Sequence, residues 1–160
     1  MNVQDGTRDA GFSFEAFQQA MPEAVAGLRA MTKAAADAGL DKALTELMKI
    51  RVSQINGCAF CTQFHLNAAR RMGVDGAKLD LVAAWHDAPV FNPRERAALA
   101  WAEHLTAMGA RAVPETAEAE VQAHFSPAET MHLTVAVATI NAWNRIAGGL
   151  RFLPPTRQEG

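Results

Sequence analysis

The chain has no tyrosine, only two cysteines and no block of basic residues, and each shortage narrows what it can be. With a formal net charge of -2 over 160 residues, it lacks the basic footprint of a nucleic-acid-binding protein. No apolar run reaches the roughly 18 residues that a membrane span needs. The start, Met1-Asn2-Val3-Gln4-Asp5-Gly6, has no basic segment followed by an apolar one. Strand-like alternation bounded by turn dipeptides is missing too. The expectation is one soluble, cytoplasmic domain over residues 1–160, with no nucleic-acid or membrane partner and with 1–20 and 153–160 at its periphery.

What the sequence has in abundance is alanine, 33 residues, which favours closely packed helices. Capping residues, prolines and glycines divide it into about seven to eight of them, so the fold class read here is all-α. Ser13 opens a short first helix, and Pro22 starts one that stops at Gly39. Asp41 caps a block rich in Leu, Ile and Met that ends at Asn56-Gly57, and Cys58 leads another to Gly73. A shorter helix is expected from Asp75 to Trp85, then a loop over 87–91. Asn92-Pro93-x-Glu95 and Ser126-Pro127-x-Glu129 have the grammar of capping boxes, opening helices toward Gly109 and Gly148-Gly149. A further helix is expected from Pro114, and the residues from Leu153 to Gly160 read as a loose tail.

The two cysteines, Cys58 and Cys61, stand three apart. In a reducing compartment such a pair suits redox or metal chemistry better than a structural disulfide. If Cys58 begins a helix, Cys61 and His65 lie about 40° apart around it and Cys58 and His65 about 20°, so all three share a face. A thiol in a first turn also feels the positive end of the helix dipole, which favours thiolate. On the preceding helix Glu46, Ile50 and Ser53 form a stripe, and a short turn at Asn56-Gly57 would bring that stripe toward His65. A partly buried Glu46 is expected to have a raised pKa and to act as a base near neutrality.

Glu46, Ser53, Cys58-Ala59-Phe60-Cys61 and His65 together resemble the Glu-x11-Cys-x-x-Cys-x-x-x-His signature of the alkylhydroperoxidase D-like (AhpD-like) proteins within the carboxymuconolactone decarboxylase superfamily. The stretches from Trp85-His86-Asp87-Ala88-Pro89-Val90-Phe91 through Ala102-Glu103, and Ile140-Asn141-Ala142-Trp143-Asn144-Arg145, are similar to that family as well. The likeness spans roughly residues 25 to 152. It implies an antioxidant enzyme that needs no cofactor or metal and assembles as a homotrimer or a dimer of trimers. By this resemblance Cys61 is the peroxidatic thiolate, attacking a peroxide and becoming a sulfenic acid, and Cys58 condenses with it to a disulfide. A dithiol reductant, such as a lipoyl or thioredoxin-like protein or a peroxiredoxin partner, would restore the pair. Glu46 would be the base and His65 the relay. Some members carry a His between the cysteines; Ala59-Phe60 stands there in this chain, so no step can use one.

Other readings compete. Cys58, Cys61 and His65 with Glu46 could ligate zinc, although structural zinc sites usually draw on a second Cys or His pair that is not visible here. A lyase of the carboxymuconolactone decarboxylase type would have no use for adjacent thiols, and a redox sensor would form the disulfide without turnover. Ser53 reads as a helix-to-helix hydrogen-bond partner, and Asn141 and Asn144 as residues that satisfy buried polar groups. His86, His104, His124 and His132 read as structural, and Trp85, Trp101 and Trp143 as core or subunit-contact residues.

Overall fold

In a computed structural model the described residues are 11–158. Residues 1–10 and 159–160, the outer parts of the segments expected at the periphery, lie outside them. Eight α-helices and no strand make up the described residues: α1 (Phe14–Ala20), α2 (Pro22–Asp37), α3 (Lys42–Ile55), α4 (Ala59–Arg71), α5 (Gly76–Leu81), α6 (Pro93–Ala107), α7 (Thr116–Gln122) and α8 (Pro127–Gly149). Their starts follow local chemistry. Ser13 and Asp41 accept backbone N–H groups of the first turns of α1 and α3, and full capping boxes open α6 (Asn92, Glu95) and α8 (Ser126, Glu129).

Two boundaries differ from the sequence reading. The helix expected to reach Trp85 ends at Leu81 and tightens into a 3₁₀ turn over Val82–Ala84. Arg96 is the reason: its guanidinium donates to the carbonyls of Trp85, His86 and Ala88, and so holds the chain in the loop that follows. The helix expected from Pro114 begins at Thr116, because the Pro114 carbonyl takes the Ala117 N–H in a preceding turn.

α3 is the central strut. It packs against α4, α6 and α8, and its buried residues divide between two clusters. Met48 and Val52 join Leu133, Val137 and Ile140 of α8, while Leu47 and Ile50 meet Leu79, Val82, Trp85 and Leu99. Each of these four α3 side chains is at most 1% exposed, and burying one contributes about 1.5–3 kcal/mol. This rigid element positions Glu46 and Ser53.

The ends of the described chain meet. The Phe12 N–H donates to the Leu150 carbonyl over 3.1 Å, and a Cβ on Gly11 would lie 2.1 Å from that same oxygen, so only glycine fits there. Phe14 of α1 packs against Phe60, Trp143 and Phe152 with ring centroids 5.5, 6.1 and 5.8 Å away. The tail is not loose as expected. Phe152 is buried, and the Asn67 amide of α4 donates to the Thr156 carbonyl and accepts from the Gln158 N–H, which ties the tail to α4.

Candidate active site

The turn between α3 and α4 sets the site. Gly57 at φ 65° reverses the chain, and the Cys58 N–H donates to the Ser53 carbonyl over 2.9 Å. Cys58 is then the N-cap of α4, its Sγ accepting the Cys61 N–H over 3.3 Å. Both cysteines are free thiols and both are buried. The Cys61 S–H and N–H groups together support a thiolate on Cys58, whose pKa falls from an ordinary 9.0 to about 7 against the opposing effect of burial. The neighbouring Cys58 sulfur and burial push the Cys61 thiol up instead. The contact between the two sulfurs thus favours charge on Cys58, and the Cys61 N–H received by the cap adds to it, whereas the family resemblance gives the thiolate role to Cys61.

On the α3 side, Glu46 Oε2 lies 2.6 Å from His65 Nδ1 and Oε1 lies 2.8 Å from Lys49 Nζ. Glu46 is 5% exposed, and burial by itself would raise its pKa as expected from sequence. The hydrogen bonds and charges of His65 and Lys49 outweigh that, and the pKa falls from 4.5 to about 2. Glu46 is thus a fixed carboxylate and no base near neutrality. Because an ionised carboxylate only accepts hydrogen bonds, His65 carries its proton on Nδ1, and in the neutral ring Nε2 keeps a free lone pair.

Behind the thiols lies a polar seam that joins α3 to α8. Ser53 Oγ donates to the Lys49 carbonyl and accepts from Asn144 Nδ2, and Asn144 Oδ1 accepts from Asn56. The nearby Asn144 side chain also favours the Cys61 thiolate. Asn141 instead bonds Thr106 and Asn56, one turn away. Among the outlying histidines, His86 meets Glu103, which also binds Arg51 and the Trp85 indole. Among the described residues no three His, Cys, Asp or Glu side chains converge as a metal cage.

Cys61 and His65 open on a cavity of about 410 Å³. Its walls come from four helices and the end of a fifth: Phe60 and Phe64 flank the thiol on α4, Ile140 and Trp143 face it from α8, and Phe14 closes one side. Sequence reasoning missed the cavity, together with Lys49 and the roles of Phe14 and Trp143. Lys49, three residues after Glu46, was the one local signal at hand.

The carboxymuconolactone decarboxylase family model matches residues 20–104, which take in Glu46, both cysteines and His65. The chain belongs to the carboxymuconolactone decarboxylase family. It is an AhpD-like member of that superfamily, similar to a crystal structure from Agrobacterium tumefaciens at 36% identity and a TM-score of 0.83, covering 88% of this chain and 97% of that one. The Agrobacterium protein is described as of unknown function and as a candidate antioxidant defence protein AhpD. The uncharacterized protein YdfG of Bacillus subtilis is 34% identical over 82% of this chain and 89% of its own. An uncharacterized peroxidase-related protein from Ralstonia eutropha, described as an alkylhydroperoxidase AhpD core, shares the fold at a TM-score of 0.76 and 23% identity, covering 88% of this chain and 75% of that one.

Proposed function

We propose that the protein is a thiol-dependent peroxidase that reduces a hydroperoxide at Cys61 with electrons from a dithiol. The observation that supports this reading is that Cys61, whose N–H is received by Cys58 Sγ, lines the cavity together with His65, whose Nδ1 meets Glu46.

The Cys61 sulfur attacks the outer oxygen of ROOH, the O–O bond breaks, and Cys61 becomes a sulfenic acid. His65 Nε2 takes the thiol proton and passes it to the departing alkoxide, giving ROH. Glu46 holds the ring and balances the transient imidazolium. The Cys58 thiolate then attacks the Cys61 sulfur, a disulfide forms, and hydroxide leaves to become water. An external dithiol reduces the disulfide by exchange and is itself oxidised to a disulfide. Each turn converts one hydroperoxide and one dithiol into alcohol, water and disulfide. The homotrimeric or hexameric assembly belongs to the same proposal, and a monomeric mass in light scattering would contradict it.

Peroxide consumption under a dithiol reductant tests the roles. Cys61→Ser is expected to abolish it, and Cys58→Ser to stop turnover while leaving a sulfenic acid that a dimedone probe labels at Cys61. Equal activity in the two variants, or labelling at Cys58 in Cys61→Ser, would sink the assignment.

A further inference from the structure

We infer that the cavity takes an amphipathic carboxylate, so that the preferred oxidant is a hydroperoxide with an apolar body and an anionic end remote from its O–O group. This rests on the peroxidase reading for the reaction but on the cavity alone for the ligand class.

Size comes first. At roughly 30 Å³ for each water-sized group, 410 Å³ accommodates on the order of a dozen heavy atoms. Hydrogen peroxide has two, so a cavity dedicated to it would be several-fold smaller. Polarity comes next. The walls beside Cys61 are the rings of Phe14, Phe60, Phe64 and Trp143, and these surfaces gain from covering hydrocarbon. Three threonines also line the space, but Thr32, Thr45 and Thr139 each donate their hydroxyl to a carbonyl of their own helix, Leu28, Lys42 and Val135 respectively. None of the three threonines therefore offers its proton to a sugar or a polyol, and the Trp143 indole N–H is the one neutral donor left on these walls besides the reacting groups.

Charge decides the remaining end. Arg29, Lys33 and Lys49 line the cavity and no Asp or Glu does, although the whole chain carries two more acidic than basic residues. Lys49 is held by Glu46 and the exposed Lys33 by Asp37, four residues on. Arg29, one turn before Lys33 on the rim of α2, has no hydrogen-bond acceptor among the described side chains. A carboxylate at the mouth would pair with Arg29 in the two-pronged geometry a guanidinium favours. Its hydrocarbon body would lie along the rings, and the peroxide would reach Cys61.

The test uses the full reduced protein and two kinds of probe. Calorimetric titration compares ω-hydroxydecanoate, which cannot oxidise the thiols, with its methyl ester. Steady-state assays with a dithiol compare ω-hydroperoxydecanoate, its methyl ester and hydrogen peroxide. One exposed and one partly shared cation are expected to give the acid about five-fold tighter binding than the ester at low salt. Arg29→Glu should erase that preference, and half-molar salt should shrink it. The same order is expected in kcat/KM, with hydrogen peroxide lowest. Equal binding of acid and ester, no binding of either, or hydrogen peroxide turned over as well as the acid would overturn the inference. Carboxylate-selective binding with no turnover of any peroxide would overturn the peroxidase reading and leave the ligand class standing.

Discussion

The two thiols differ because one caps a helix and the other lies inside its first turn. Cys58 receives the Cys61 N–H and S–H and ionises near 7, whereas Cys61 keeps its proton. The resolving step should therefore follow the Cys58 thiolate, which is present above about pH 7 and lost as pH falls through it. The sulfenic acid on Cys61 should therefore live longer in mildly acidic than in mildly alkaline solution. Probe labelling after a single pulse of peroxide measures this, and a lifetime independent of pH would refute the thiolate's place on Cys58. The shared face of Cys58, Cys61 and His65 was legible from helical spacing, whereas Glu46, on the preceding helix, was singled out chiefly by the family resemblance. Their charges were not legible. The ionisation of Glu46 depends on Lys49 and His65 converging on one carboxylate, and that requires the packing of α3 on α4.

At the scale of elements, local chemistry reads well and distant contacts do not. The caps at Ser13, Asp41, Asn92 and Ser126 act within three residues, so the sequence displays them directly. The early end of α5 depends on Arg96, and the ordered tail depends on Asn67, each reaching across a gap that no periodicity marks. The closure of Gly11 on Leu150 is of the same kind. Gly11→Ala would place a methyl group 2.1 Å from a backbone oxygen, so the strap must move and take Phe14 with it. The expected cost is about 1–3 kcal/mol, as for other overpacked sites. Thermal denaturation should register it as a lower Tm, and thiol-reactive dye should modify Cys61 faster. An unchanged Tm with unchanged dye kinetics would show that the strap does not seal the cavity.

For the molecule as a whole, the buried Glu46 carboxylate links stability to acid. Its folded pKa of about 2 lies below the ordinary 4.5, so its contribution is complete above about pH 4.5 and disappears as pH falls toward 2. The shift corresponds to about 3 kcal/mol. Glu103, lowered despite burial by Trp85, His86 and Arg51, adds in the same direction. Denaturant midpoints between pH 6 and pH 3 should fall accordingly. In Glu46→Gln the protein should start less stable, because Lys49 and His65 lose their buried counter-charge, and should lose less on acidification. Parallel pH profiles for the two proteins would contradict the linkage. Synthesis on the ribosome meets a different consequence of the joined chain ends. Both cysteines emerge long before Trp143 and Phe152, so a nascent chain holds its dithiol without the aromatic wall that later encloses it. Until α8 leaves the exit tunnel, the thiols are open to any oxidant and any mispairing.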